Sequence, residues 1–405
     1  MATTAITGAQ VFDGEKPLGV HTVVLDGPKI HAIGGDVPDG AEVVDGRGAT
    51  LLPGLIDAHV HSGPGSLALA LRFGVTTELE MQGMNTRENR AHITEDDTVA
   101  DIRSSGFAIT PPGGHPSELM PEGFRPARDL PPVMPLMPFS TTPEQAAAYV
   151  PQLLARGSDY IKFMIDDGSV EGHPGLPMLD QATLDAGVAE AKRHGALTVA
   201  HTLTLDATRM AAEAGIDGLV HVFMDRPHTT EIVDLIAGAG MFVVPCVCLD
   251  ASMMGITGSE LADDARVARR LDDKWEKTLR SSYDRYPQGR LDDVLETVRA
   301  LAAAGVDILA GTDASMAETF FGGLAHGASL HQELQYLVAA GLTPAQALRA
   351  ATATTARRFG LGDRGRIAEG LRADLLLVDG DPAKNIGDTL NTRAIWRRGT
   401  RLEES

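Results

Sequence analysis

An alternation constrains this chain more than any other feature. Short apolar runs recur along its middle, and most are followed by a stretch with helical periodicity. The strand-like runs are LIDAHVH (55–61), TTELEM (76–81), GFAIT (106–110), YIKFMI (160–165), LTVAHTL (197–203), GLVHVF (218–223), MFVVPCV (241–247) and DILAGTD (307–313). Among the helical patterns, LDDVLETVRALAAAG (291–305) sets Leu291, Val294, Leu295, Val298, Leu301 and Ala302 on one face and ends in glycine. LHQELQYLVAAG (330–341) does the same with Leu330, Leu334, Leu337 and Val338. Eight such β-α units in roughly 300 residues predict an α/β fold, a (β/α)8 TIM barrel.

The two ends read differently. HTVVL (21–25) and KIHAI (29–33) flank Asp26-Gly27-Pro28, and Val43-Val44 runs into Asp45-Gly46. Such β-branched runs broken by Asp-Gly are hairpin chemistry. ADLLLVDGD (373–381) and RAIWRRGTRL (393–402) repeat the style. The expectation is one small β-sandwich domain built from 1–52 plus 363–405, packed on a catalytic barrel of 53–362. One stretch breaks the rhythm: Pro111 to Pro151 carries nearly half of the 23 prolines. It predicts a long extended loop, not a helix, after the third strand. On a barrel that loop sits at the mouth, either as a substrate wall or as a passive surface excursion.

Composition removes several function classes. The chain has 405 residues, with 55 acidic against 35 basic side chains and a formal charge of −20. Nucleic acid and anionic membranes would be repelled, so neither is an expected partner. Two cysteines, Cys246 and Cys248, cannot make a disulfide scaffold. The first residues, MATTAITGAQVFDGEKP, lack the pattern of a signal peptide, and no run approaches 18 apolar residues. The expectation is a reduced, cytoplasmic protein acting on a small molecule.

His59 and His61 stand two apart on the first predicted barrel strand, so both side chains share one face. They lie at its carboxyl end, where barrels place active sites. His201 ends the apolar part of the fifth strand, His221 lies within the sixth, and Asp313 closes the eighth. Lys162 sits in the fourth between Ile161 and Phe163, although burying a lysine is costly. In a closed barrel these positions converge at the mouth. Neutral imidazoles with a carboxylate suit zinc or a similar divalent ion.

LLPGLIDAHVHSG, the strand-four lysine, the two later histidines and the GTDAS strand end together resemble the metal-dependent amidohydrolase superfamily. HQELQYLVAAGLTPAQALRAAT and GRIAEGLRADLLLVDGDP are similar to its carboxyl-terminal region, so the resemblance spans nearly the whole chain. It is closest to the imidazolonepropionase-like and prolidase-like branch. The resemblance implies that His59, His61 and Asp313 ligate one metal, and His201 and His221 a second. Lys162 matches a position that relatives carboxylate with CO2, making a carbamate that bridges two metals. A metal-bridging hydroxide is then the nucleophile, with Asp313 as general base and acid. These implications make the chain a hydrolase of an amide-type bond in a dipeptide, N-acyl amino acid, lactam, carbamate or urea, and a homo-oligomer.

Other residues carry less specific signals. His115, in PPGGHPSE, matches a Gly-Gly-His of related sequences and either bonds the substrate carbonyl or structures its loop. His228 in MDRPHTT and His173 in EGHPG are candidates for substrate contact. His326 and His331, at the start of a predicted helix, read as structural. Cys246 and Cys248 read as core, because buried free cysteine usually packs. Met253 and Met254 line an apolar pocket or pack the barrel edge. Two other function classes compete: a mononuclear deaminase-like or dehalogenase-like relative, which Lys162 argues against, and a non-catalytic scaffold, which the full ligand set argues against.

Overall fold

The computed structural model describes residues 3–403 except 64, 84, 86 and 120–137. The chain opens with β1 (Thr3–Phe12), β2 (Pro17–Asp26), β3 (Lys29–Ile33), β4 (Glu42–Asp45) and β5 (Ala49–Pro53). Eight short parallel strands follow: β6 (Leu55–Val60), β7 (Val75–Glu80), β8 (Asp101–Ser104), β9 (Ile161–Met164), β10 (Thr198–His201), β11 (Gly218–Val220), β12 (Phe242–Val244) and β13 (Asp307–Ile308). The chain ends with β14 (Leu375–Asp379), β15 (Thr392–Arg397) and β16 (Thr400–Arg401).

The parallel strands form two ladders, β6-β7-β8 and β9 through β13 in sequence order, with helices between successive strands. Backbone hydrogen bonds stitch both seams. Ala58 N–H reaches Ala310 O at 2.9 Å and His61 N–H reaches Ala314 O at 2.8 Å on one side. Ile109 N–H reaches Lys162 O at 2.8 Å and Met164 N–H reaches Ile109 O at 3.0 Å on the other. This is an α/β fold of TIM-barrel type. The helices Leu291–Ala303 and Ala328–Ala339 lie where the periodicity placed them.

Strands from the two chain ends join one eight-stranded sheet, ordered β16-β15-β14-β5-β1-β2-β3, with β4 beside β1. β14 pairs antiparallel with β5 from Leu375↔Pro53 to Asp379↔Ala49. The chain passes from this sheet into β6 through Gly54. A Cβ there would lie 2.2 Å from Thr76 Oγ1, so only glycine permits the passage. An ionic cluster ties sheet to barrel: Asp101 of β8 meets Arg364 and, at 3.1 Å, Arg372, while Arg397 of β15 reaches Val99 O at 3.2 Å.

Two local expectations are corrected. The third barrel strand is 101–104, not 106–110. Gly106 turns the chain at φ 64°, and only Ile109 and Thr110 return to make isolated bridges. The run at 106–110 is apolar, whereas the true strand contains Asp101 and Arg103, buried or half-buried by ion pairing. The expected extended loop from Pro111 also ends early, since Pro143–Arg156 is a helix. Thr142 caps it, accepting from Gln145 N–H, and Pro143 stands at its start, where a missing N–H costs nothing. Pro151 is carried inside the same helix. The middle of the proline-rich stretch, 120–137, lies outside the described residues.

Candidate active site

His59 and His61 project from one face of β6, and their Nε2 atoms stand 3.1 and 3.0 Å from Asp313 Oδ1. His221 Nε2 lies 4.0 Å from Asp313 Oδ2. The His59 and His221 rings are 4.7 Å apart, and His221 and His201 are 4.8 Å apart, edge to face. Lys162 Nζ is 3.5 Å from His59 Nε2. Thus His59, His61, Lys162, His201, His221 and Asp313 form one cluster. All but His61 and Asp313 are buried.

The backbone is bent to achieve this. His221, just past β11, and Asp313, in the segment that follows β13, both adopt left-handed φ, 87° and 59° respectively. Non-glycine residues hold that conformation at a cost, and such strain concentrates at functional sites. Gly311 lets the eighth strand approach β6, for a Cβ there would sit 2.4 Å from Val244 Cγ1 and 2.8 Å from His59 N. Asp57, two residues before His59, accepts from His59 N–H at 3.1 Å and from the Thr312 hydroxyl at 2.7 Å.

Three of the four imidazoles are oriented from behind. His61 Nδ1 is 3.1 Å from Gln82 O, His201 Nε2 is 2.8 Å from Asp166 Oδ2, and His59 Nδ1 is 3.4 Å from Cys246 Sγ. One nitrogen of each of these three rings is thereby engaged, leaving the other for the centre, as is usual for metal-binding histidines. Burial lowers His59 to about 4 and takes His201 and His221 well below the usual range, so these rings are neutral. Burial likewise lowers Lys162 to about 8. Burial works to raise the Asp313 carboxyl, but the His59 and His61 imidazoles beside it hold it well below.

The donor set fits a divalent metal. Among the described residues, Asp313 Oδ1 and His221 Nδ1 are buried without a hydrogen-bond partner, and the donor atoms of His59, His61 and Asp313 all lie within 4.8 Å of one another. Convergent lone pairs that do not satisfy each other need a cation between them.

The remaining candidates fall elsewhere. His115 stacks on His201 with ring centroids 4.2 Å apart, and its Nδ1 meets Glu118. Burial works against its charge, but Glu118 outweighs it and raises His115 to about 8. His228 is half-buried beside the helix Leu291–Ala303, 3.3 Å from Thr297 Oγ1. His173 is exposed. His326 bonds Glu78 at 2.7 Å, and His331 bonds Phe73 O at 2.9 Å; both are fully buried structural groups. Met253 is buried in the main core, and Met254 packs against that core. Sequence reasoning missed Asp57, Glu118, Asp166 and Glu171. Only Asp57 and Asp166 left a trace, each at an even spacing from a candidate ligand on its strand or just beyond it.

A sequence profile described as the amidohydrolase family matches residues 50–400. Some curated relatives are matched only over short stretches; an adenine deaminase from Lysinibacillus sphaericus is 35% identical over 77 residues, which is 19% of this chain and 12% of that protein. An imidazolonepropionase from Rubrobacter xylanophilus is 24% identical over 407 residues, 88% of this chain and 84% of that one. Among solved structures, a Xaa-Pro dipeptidase with bound methionine in its active site superposes with a TM-score of 0.74 at 24% identity, covering 100% of both chains. With the profile spanning most of its length, the chain belongs to the amidohydrolase family.

Proposed function

We propose that the protein is a binuclear metal-dependent hydrolase cleaving an amide-type carbon–nitrogen bond in a small molecule: a dipeptide, N-acyl amino acid, lactam, carbamate or urea. One observation carries this reading, the convergence of six metal-competent side chains from β6, β9, β10 and β11 or the residue just past them, and from the segment after β13. His59, His61 and Asp313 would hold one ion, and His201 and His221 the other. Lys162, carboxylated by CO2, would bridge them; an uncharged amine is the reactive form, and burial favours it. Two divalent ions, zinc by the character of the donors, would supply a nucleophilic water of lowered pKa and polarise the scissile carbonyl.

The chain's own residues do the rest. Asp313 takes the proton from the attacking water and returns it to the leaving nitrogen; its carboxylate is ionised, and its side chain keeps 14% exposure toward the mouth. His115, with Nδ1 engaged by Glu118, presents its other nitrogen to the substrate carbonyl as negative charge develops there. His228 and His173, apart from the cluster, are candidates for contact with outer parts of the substrate.

The same reading treats 1–52 plus 363–405 as one terminal β-sandwich domain and 53–362 as the catalytic barrel. It places the enzyme in the cytoplasm as a homo-oligomer without nucleic-acid or membrane partners. Among the described residues, no helix is long and apolar enough to cross a membrane.

A hydrolysis panel on zinc-loaded protein tests the proposal. It should span Xaa-Pro dipeptides, N-acyl amino acids, lactams, carbamates and phenylureas. At least one class should turn over, with activity lost on chelation and in Asp313→Asn. Turnover that survives both treatments would overturn the proposal.

A further inference from the structure

Beside the proposed metal centre, carboxylates gather around His115 and His201, and the hydrolytic reading leaves Glu171 among them without a task. His115 stacks on His201 at 4.2 Å, the two planes only 19° apart. Glu118 takes His115 Nδ1, and Asp166 takes His201 Nε2 at 2.8 Å. Glu171 completes the group, its carboxylate and a nitrogen of each of these two rings all lying within 4.8 Å of one another. Three carboxylates therefore gather at one end of the proposed centre.

Two of them are incomplete. Glu118 Oε2 and Glu171 Oε2 are buried with no hydrogen-bond partner among the described residues. The Glu171 residue is 5% exposed and the Glu118 side chain 4%. Buried carboxylate oxygens are normally satisfied by donors, and leaving them unsatisfied is costly. The geometry asks for a donor-rich cation brought from outside.

A further divalent metal fits poorly. A transition ion lies about 2.0–2.1 Å from each imidazole nitrogen and close to the plane of each ring. Two nearly parallel rings stacked at 4.2 Å cannot both meet that demand. A primary ammonium suits the space better, because its three N–H donors reach about 2.7–2.9 Å and tolerate many directions.

We infer that Glu118 and Glu171 form a subsite for the free ammonium group of the substrate. The subsite abuts His201, which stands in the proposed centre, so the ammonium lies close to the scissile carbonyl. The preferred substrates are then amides of free α-amino acids, dipeptides included, rather than N-acylated, carbamate or urea compounds. This rests on the hydrolase reading and narrows it.

Stopped-flow fluorescence, which reads the binding step ahead of hydrolysis, tests the subsite with L-alaninamide and N-acetyl-L-alaninamide on metal-loaded protein. The wild type should bind the free amine at least about tenfold more tightly, as a charge-assisted pair warrants. That ratio should collapse toward one in Glu171→Gln and in Glu118→Gln. Glu171→Asp, which keeps the charge on a shorter arm, should fall between and covers the event that a Gln variant fails to fold. Equal binding, or no binding, of the two amides by wild type overturns the subsite. So does a third metal equivalent that Glu171→Gln loses. A protein that prefers the amine yet hydrolyses no amide would instead fail the reaction proposed above.

Discussion

Cys246 places its sulfur 3.4 Å from His59 Nδ1, across 187 residues of sequence. Metal-binding imidazoles usually lean on a carboxylate or carbonyl; here a fully buried thiol takes that place, on a residue held at φ 55°. The sulfur engages Nδ1 and turns Nε2 toward Asp313. Cys246→Ala should therefore leave His59 free to rotate and weaken metal binding about tenfold or more, the range seen when such supporting groups are removed. Competition with a chromogenic chelator measures it. Unchanged affinity would reduce Cys246 to a packing residue.

The ligand cluster predicts two divalent ions per chain. Elemental analysis of protein purified without chelator should give close to two equivalents. Gly311→Ala should lower the count, because the added methyl collides with Val244 and with the backbone of His59. A stable value near one with full activity would favour a mononuclear enzyme.

Lys162 is 1% exposed and cannot ligate as a cation. Lys162→Ala should lose activity and much of its metal, and short-chain carboxylates should partly restore both by supplying the missing bridge. Lys162→Arg should resist rescue, since its guanidinium stays charged and fills the space. Near-native rate and metal content in Lys162→Ala would sink the bridging role.

The junction between barrel and terminal sheet gives a pH prediction. Burial works to raise Asp101, but Arg364, Arg103 and Arg372 outweigh it and hold the carboxyl well below its ordinary range. A depressed folded-state pKa means the contribution is present above the unfolded value of about 3.9 and fades as pH falls toward the folded one. Asp101→Asn should cost about 3 kcal/mol at neutral pH, because it strands buried guanidinium groups. The gap in melting temperature between wild type and variant should narrow below about pH 4. A gap independent of pH would show that packing, not charge, is responsible.

Removing residues 366–405 deletes β14, β15 and β16, and with them the antiparallel partner of β5. The remaining strands would expose Ile6, Val11, Val23 and Leu51, which share one apolar cluster with the deleted Leu375, Leu377 and Trp396. The truncated chain should be insoluble or molten, judged by loss of near-ultraviolet circular dichroism. A folded, active truncation would make the two ends independent.

Strand periodicity and ligand types are local properties, and they were readable along the chain. Alternation on β6 sets His59 and His61 on one face wherever that strand lies. A barrel then gathers its strand ends, so Lys162, His201, His221 and Asp313 could be assigned to one site before any contact was known. What local pattern could not supply was each group's partner. The third strand follows Asp101 and Arg103 instead of the apolar 106–110, because arginines remote in sequence compensate the buried charge. Pro143–Arg156 is helical because Thr142 caps it and its first proline needs no donor. Cys246 behind His59, and Glu118 and Glu171 around His115, are brought together by strand stagger and loop closure. Such contacts join residues far apart in sequence, so only the tertiary structure decides which burial is satisfied and which carboxylate is left waiting for a cation.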